Sequence, residues 1–273
     1  MERKLLDTYL ENNVVNFSDN TETIFAIVDG NKLIQNKYQI ELSNGVNVNL
    51  LILNVNKEIS LDILLNQDSN LHIESVLEQD INLLKINAKL LKNASITGYL
   101  ADFSSGSLNC ETSIELLGEA SSAKWHIASL AAKNDTKEFA TSIYHIAQRT
   151  YGLTDSYGVS KDDAKLVFSG VSKINKNSKF SKTHQNAKIM VFDEFSKAIA
   201  KPILKIDENE IEASHGASVG KVSDETLFYL TSRGLTKEVA KELITLGYLK
   251  PIMKGFVDEE IRGIIASLIE RRM

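Results

Sequence analysis

The chain has 273 residues, a formal net charge of −5 and 43% hydrophobic residues, which is enough to bury one large core with or without an appendage. Its 36 acidic and 31 basic residues give no single-sign field, which argues against nucleic acid and anionic lipid as partners. A single cysteine, Cys110, can form neither an internal disulfide nor a four-thiolate metal site.

Residues 1–22 form an N-terminal segment in which residues 3–11 can make a short helix. The first residues lack the apolar core of a signal peptide, and no apolar run approaches the roughly 20 residues that a membrane helix needs. Together with the lone cysteine, these features lead us to expect a cytoplasmic protein that does not enter a membrane.

Residues 23–220 show the alternation of apolar and polar side chains that is typical of β-strands. In the run 84–90, every second residue is apolar and falls on one face: Leu84, Ile86, Ala88 and Leu90. About ten such runs without intervening helices predict an all-β body, either a sandwich, a barrel or a parallel β-helix. The runs recur without a strict period, so their spacing alone does not choose among the three.

Residues 221–273 change to helical periodicity. Ser223 can cap a first helix that ends at Gly234, and Thr236 starts a second helix that should stop near Gly247. A third helix opens at Asp258-Glu259-Glu260 and carries an apolar stripe at helical spacing: Ile261, Ile264, Ile265, Leu268 and Ile269. We therefore predict a small C-terminal helical region.

The segment from Gly216 to Lys221 precedes a helix but does not match a phosphate-binding loop. Only three residues separate Gly216 from Gly220, where the loop needs four, and Val222 stands where magnesium binding requires Ser or Thr. The glycines fit the turn from strand to helix better.

His215 is flanked by Ser214 and Gly216, which leave its imidazole accessible to another chain or to a metal. From the residues alone, a hydrogen-bonded structural histidine at a strand end is the commoner case. The other histidines lack metal-site spacing and are interpreted as structural or surface residues: His72, His126, His145 and His184. No nucleophile and base pair stands out, so the motifs suggest no catalytic residue.

An ordered run of motifs extends over residues 158–248. It includes Gly-Val-Ser-Lys-Asp-Asp-Ala from Gly158, Val-Phe-Ser-Gly from Val167, Ser-Lys-Thr-His-Gln-Asn from Ser181, and Ser-His-Gly-Ala-Ser-Val-Gly from Ser214. This run resembles the SufD branch of the SufB/SufD family, whose members are scaffold subunits for iron-sulfur cluster assembly. The resemblance covers about a third of the chain and implies a right-handed parallel β-helix with a C-terminal helical region.

The resemblance also implies partners and site residues. It implies a scaffold without a catalytic cycle of its own, which pairs with SufB through the β-helices and docks the ATPase SufC through the C-terminal helices. His215 matches the family histidine at the SufB/SufD interface, where it would bind iron or donate a hydrogen bond to cluster sulfur. A transient iron-sulfur cluster shared with SufB, and no tightly bound cofactor, is the expectation.

The first predicted helix supplies candidates for the SufC contact. Leu227, Phe228 and Tyr229 are consecutive, so one helix cannot bury all three against its own domain, and Arg233 follows one turn later. Aromatic side chains are common interface anchors, and we expect at least one of these residues to meet SufC. The alternative is that all four residues tie the helices to the β body.

The chain departs from the family at Ala213, where many SufD sequences have cysteine. Cluster thiolates must therefore come from a partner, which favours SufD over SufB as the nearer branch. Homodimer formation by the isolated chain stays open. Two other functions also stay open: a β-helix carbohydrate-active lyase or hydrolase, and a self-associating structural β protein.

Overall fold

The computed structural model describes residues 3–11, 14–19 and 21–273, and these residues form a parallel β-solenoid with three α-helices. Two nine-stranded sheets, A and B, lie on opposite sides of the solenoid interior. From β4 onward, consecutive strands alternate between sheet A and sheet B. Within each sheet, each of these strands pairs in parallel with the strand two places before or after it in the chain. The parallel β-helix implied by the resemblance is confirmed.

The strands are numbered along the chain. Sheet A contains β1 (Lys4–Leu5), β4 (Ile24–Asp29), β6 (Asn47–Leu53), β8 (Asn70–Leu77), β10 (Ser95–Asp102), β12 (Ser122–Ala131), β14 (Tyr151–Ser160), β16 (Lys182–Val191) and β18 (Glu212–Lys221). Sheet B contains β2 (Leu10–Glu11), β3 (Val14–Phe17), β5 (Lys37–Leu42), β7 (Lys57–Leu65), β9 (Ile81–Leu90), β11 (Ser107–Leu116), β13 (Thr136–His145), β15 (Lys165–Ile174) and β17 (Lys197–Ile206).

The alternation seen in the sequence places one side chain in two inside the solenoid. In β9, the residues predicted to share a face are all buried: Leu84, Ile86, Ala88 and Leu90. Neighbouring strands of the same sheet are in register, so their equivalent inward-facing residues form straight columns of side chains along the solenoid. These columns build one continuous interior core along most of the solenoid.

The N-terminal segment forms the first rung of the solenoid. Where a short helix was expected over residues 3–11, the chain makes β1, a single turn of 3₁₀ helix (Leu6–Tyr9) and β2. Leu6 is buried, and the hydroxyl of Tyr38 donates a 2.7 Å hydrogen bond to Asp7 Oδ1. Strand pairing and this contact hold the segment extended. Residues 1, 2, 12, 13 and 20 of the segment lie outside the described residues.

The helical region consists of α1 (Asp224–Ser232), α2 (Lys237–Leu249), a 3₁₀ helix (Lys250–Gly255) and α3 (Glu259–Arg272). The predicted cap of α1 is present, since Ser223 Oγ accepts a hydrogen bond from the Thr226 N–H. Thr236 Oγ1 accepts likewise from the Val239 N–H before α2, and Asp258 Oδ1 from the Glu260 N–H before α3. α2 ends at Leu249, two residues beyond Gly247, near which its end was predicted.

The helical region packs on the outer face of sheet A. A second apolar core joins this face to the 3₁₀ helix and α3: Leu51, Val76, Ala101, Phe103, Ala128, Leu130, Ile252, Phe256, Ile261, Ile265, Leu268 and Ile269. The outer face of sheet B carries no helix of the described residues. None of the helices in the described part of the chain is long and apolar enough to cross a membrane.

Candidate functional site

The candidate site lies on β18, the last strand of the solenoid. β18 pairs with β16 on one side, and no strand of the described residues pairs with its other edge. Of its ten residues only Ala213 is not exposed. Its backbone donors and acceptors on the free side are therefore available to a strand from another chain.

His215 occupies an inward-facing column at this free edge. It is the register partner of Gln185 in β16, and below Gln185 the same column contains Thr154 and Trp125. Gln185 is buried, whereas His215 is exposed because no further rung covers it. The imidazole thus stands at the mouth of the solenoid interior.

One outward neighbour of His215 contacts β16 through its side chain. The hydroxyl oxygen of Ser214 lies 2.8 Å from Nδ1 of His184. Beneath Gly216, the Asn186 side chain donates a 2.8 Å hydrogen bond to Asp155 Oδ1. The Ser214 hydroxyl thus contacts β16 on the outer face, whereas Gly216 has no side chain to do so.

The two terminal strands present different edges. β17, the end of sheet B, carries Pro202 and three exposed lysines, Lys197, Lys201 and Lys205, features that discourage strand addition. β18 is built mainly from small residues, and its only charged side chains, Glu212 and Lys221, stand at its two ends. Strand addition is consequently favoured at β18, the strand that contains His215.

Cys110 does not lie at this edge. It is buried inside the solenoid in β11, where desolvation raises the pKa of its thiol and the Asp102 carboxylate raises it further. Within residues 3–11, 14–19 and 21–273, no group of three His, Cys, Asp or Glu side chains is arranged to hold a metal ion. His215 can offer one imidazole nitrogen, and any further metal ligands at this edge must come from another molecule.

The sequence-predicted residues of α1 are largely exposed. Phe228 is 74% and Tyr229 58% exposed, Leu227 is half-buried, and no residue of α1 is fully buried. The guanidinium carbon of Arg233 lies 5.3 Å from the centroid of the Tyr229 ring. On α2, Val239 and Leu243 are also exposed, so both helices leave large apolar side chains in solvent.

The other histidines lie away from His215 or have other contacts. His72 Nε2 lies 2.7 Å from the carbonyl oxygen of Gly255, where the 3₁₀ helix meets sheet A. His126 stacks on Tyr99 at 4.5 Å, and desolvation lowers the pKa of its imidazole although nearby Asp155 opposes this. His145 is buried beside Thr150.

Comparison with known proteins identifies the family. Residues 25–248 match the family described as "SUF system FeS cluster assembly, SufBD core domain". The chain belongs to the SufB/SufD family. It is 30% identical over 182 residues to the iron-sulfur cluster assembly protein SufD of Bacillus subtilis, a match that covers 67% of this chain and 42% of that protein.

Two staphylococcal relatives match a shorter part of this SufD-like chain. It is 30% identical over 139 residues to an iron-sulfur cluster assembly SufBD family protein of Staphylococcus saprophyticus and 29% identical over 139 residues to one of Staphylococcus aureus. Each match covers 51% of this chain and 30% of the relative. The chain therefore matches less than half the length of these curated relatives.

The sequence did not predict two features of this site. One is that β18 is the last strand of its sheet, which depends on the strand order. The other is that Gln185 lies next to His215 on the neighbouring strand. Gln185 lies in the matched run but gave no signal of its own, since a lone glutamine has no characteristic spacing. Its alternation with Thr183 and Ala187 places it inside, but only the register of β16 and β18 shows that it lies directly beneath His215.

Proposed function

We propose that this protein is a non-catalytic scaffold and adaptor subunit of the SUF iron-sulfur cluster assembly system, working in the cytoplasm. The observation that supports this most directly is the outer edge of β18, which no strand of the described part of the chain pairs with, and the position of His215 in the interior column of this strand. A surface of this kind suits assembly with another chain better than turnover of a small substrate. Family membership gives the assembly its chemical context.

A SufB-like scaffold is the proposed partner at β18. A strand added there would satisfy the free backbone groups and cover the inward positions of β18, which are Ala213, His215, Ala217 and Val219. His215 would then lie at the junction of the two chains. The same edge is also suited to a homodimer in the absence of the partner.

A SufC-like ABC ATPase is the proposed partner of the helical region. Phe228 and Tyr229 project from α1 with no core to cover them, and they have the size of typical interface anchors. Leu227 and Arg233 would support them, the first by packing and the second by its position over the Tyr229 ring.

At the junction, His215 would contact a nascent cluster that is cargo and not a resident cofactor. A neutral imidazole can bind iron, and an imidazole N–H can donate to cluster sulfur. Thiolates would come from the partner, because Cys110 is buried away from the edge and position 213 is alanine.

A carbohydrate-active β-helix enzyme is less well supported by the structure. A shallow depression on the outer face of sheet B does contain acidic and basic side chains, among them Asp62, Glu115 and Lys89. Asp62 already accepts a 2.7 Å hydrogen bond from Asn87, and the described residues around the depression include no aromatic side chain for stacking a sugar.

Co-expression with SufB-like and SufC-like partners tests the proposal. Wild type, His215→Ala and His184→Ala would be purified, and the mass of each complex and its iron and sulfide content measured. His184 is a matched control because it lies on the adjacent strand and contacts β18 from the outer side. The expected result is an intact complex in all three proteins, with cluster content lowered only by His215→Ala.

Two other results would contradict the proposal at different levels. If cluster content is the same in His215→Ala and wild type, His215 is structural. If wild type forms no complex with either partner at micromolar concentration, the scaffold function fails, and a self-associating structural protein or a carbohydrate-active enzyme becomes the better explanation.

A further inference from the structure

The interior of the solenoid becomes polar as it approaches His215. Along one column of sheet A, Trp125 is followed by Thr154, Gln185 and His215, one residue for each successive rung. On the facing wall, Ser172 of β15 is also an inward polar residue. Polar groups inside a solenoid are costly unless they are hydrogen-bonded, so their partners need to be accounted for.

The carboxamide of Gln185 is fixed across the interior. Its Nε2 donates to Ser172 Oγ at 2.6 Å and to the carbonyl oxygen of Ile203 at 3.3 Å. A carbonyl oxygen can only accept, so this second contact determines which end of the amide is nitrogen. The amide oxygen, Oε1, is buried in a residue that is only 5% exposed, and none of the described residues donates a hydrogen bond to it.

Space and polar groups are both present next to this oxygen. A chamber of about 20 Å³ lies against Gln185, and its lining includes Thr141, Thr154 and Ser156. Gly170 on the opposite wall keeps the space open, since a Cβ atom there would lie 2.8 Å from Gln185 Oε1. A buried water needs a volume of roughly 10–15 Å³ or more and two to four polar partners. The chamber is large enough, and its lining offers the Gln185 amide oxygen and these hydroxyl groups as polar groups.

We propose that this chamber binds one ordered water that pairs with Gln185 Oε1, and that Gln185, held in this way, is a positioning residue for His215. The water donates to the amide oxygen and uses its remaining hydrogen bonds on the neighbouring hydroxyls. With both ends of the carboxamide paired, Gln185 presents a fixed polar surface directly beneath His215 on the β16–β18 ladder. The inference rests on the proposed function and deepens it, because it makes Gln185 the residue that positions the His215 imidazole at the edge where assembly is proposed.

The water itself is observed directly in a high-resolution crystal structure of the chain, and in solution by nuclear Overhauser contacts between water and the protons of Thr154 or Ala187. Both residues line the chamber. The expected result is one water within hydrogen-bond distance of Gln185 Oε1. An empty chamber in the crystal together with no water contact in solution would overturn the proposal.

The positioning role is tested with Gln185→Met and with Thr112→Val as a matched control. Thr112 also has a buried, inward-facing side chain, but it lies two rungs further inside, outside the chamber lining. The readout is the pair of imidazole ¹⁵N signals of His215, assigned by their loss in His215→Ala. These signals report the ring environment and the nitrogen that holds the proton.

We expect Gln185→Met to shift the His215 signals and Thr112→Val to leave them unchanged, with both variants folded. Unshifted His215 signals in folded Gln185→Met would overturn the positioning role. These measurements use the isolated chain and need neither cluster nor partner. They can therefore succeed even if His215→Ala retains the cluster in the complex, which separates a failure of this inference from a failure of the proposed function.

Discussion

His145 is the histidine whose protonation is most strongly coupled to folding. It is buried inside the solenoid, with Nδ1 2.8 Å from the Thr150 hydroxyl oxygen and Nε2 without a partner. Burial lowers the pKa of its imidazole from 6.5 to about 4. Between these values the unfolded chain binds more protons than the folded chain, so the free energy of unfolding decreases as the pH falls through this window.

The comparison of wild type with His145→Gln measures this effect. At pH 5 the buried imidazole should cost wild type about 2 kcal/mol of stability relative to pH 8, and the glutamine variant should lack this loss. Urea unfolding across this range gives both slopes. His184→Gln, a change on the outer face, should keep the wild-type slope. Equal slopes in wild type and His145→Gln would show that His145 is not the responsible group.

Cys110 should be unreactive in the folded protein. Desolvation raises the pKa of its thiol, and thiolate is the nucleophilic form. Ellman's reagent should therefore modify Cys110 only after denaturation, when the chain should show its one thiol. Rapid modification of folded protein would contradict this and would reopen Cys110 as a source of sulfur ligation.

The packing of the 3₁₀ helix against sheet A depends on the absence of a side chain at Gly255. A Cβ atom at Gly255 would lie 2.1 Å from Tyr99 ring atoms, and the Gly255 carbonyl oxygen contacts His72. Gly255→Ala should push this turn off the sheet and loosen α3, which lowers the melting temperature and exposes the helical region to protease.

Gly247→Ala is the matched control for that substitution. Gly247 lies in α2, and a Cβ atom added there would meet no atom within 4 Å, so alanine should stabilise the helix by about 0.5–1 kcal/mol. The two substitutions should therefore change the melting temperature in opposite directions. A Gly255→Ala protein as stable and protease-resistant as wild type would rule out the close contact with Tyr99.

Phe228 on α1 provides a direct test of the proposed ATPase contact. Because its side chain is 74% exposed, Phe228→Ala should leave the melting temperature nearly unchanged. Binding to the SufC-like ATPase should weaken by about 2 kcal/mol, or roughly 30-fold in Kd, if Phe228 is an anchor. Calorimetry measures both quantities. Phe195→Ala removes an equally exposed ring from the turn between β16 and β17 and should leave binding unchanged. Equal affinities for the two variants would exclude Phe228 as an anchor.

Much of the secondary structure could be predicted because burial on one side leaves a period in the sequence. The alternation in β9 and the cap at Ser223 both appear in the structure as expected. The solenoid repeat could not be recognised in the sequence, because chemically different residues occupy equivalent turns. The residue with left-handed backbone (positive φ) in five successive turns is Asp68, Asn93, Ala120, Arg149 and Phe180. Backbone hydrogen bonds between the turns of successive rungs hold this conformation, so the same side chain need not recur at each turn.

The site was only partly accessible from the sequence for a related reason. His215 was singled out by its neighbours and by family resemblance, and its position on a free edge required the strand order. The role of Gln185 depends on register, which follows from turn lengths that differ from rung to rung. Exposure of Phe228 and Tyr229 was foreseeable, since consecutive helical residues cannot share one face.

The two ends of the solenoid differ. At the N-terminal end, the buried Leu6 and the packed rings of Tyr9 and Phe17 close the interior. At the opposite end, Val219 of β18 is 48% exposed although its column partner Ile189 is buried. In the part of the chain that the structure describes, the interior is open at this end, beside a strand that pairs along one edge and not the other. From this geometry we infer pairing with another chain.

Val219→Lys tests whether that open end is the pairing surface. In the isolated chain the lysine can extend into water, so stability should be nearly unchanged. In a complex an added strand would bury the charge in the interior column, which is a recognised way of preventing edge pairing. Affinity for the SufB-like partner, and any homodimerisation, should fall at least 10-fold, or about 1.4 kcal/mol, measured by analytical ultracentrifugation.

Ile34→Lys is the control for this change, since Ile34 is a 72% exposed residue in the loop before β5, far along the chain from β18. It adds the same charge without affecting the open end, so association should stay at the wild-type level. If Val219→Lys also pairs at the wild-type level, the partner does not extend sheet A, and the unpaired edge of β18 has a different use.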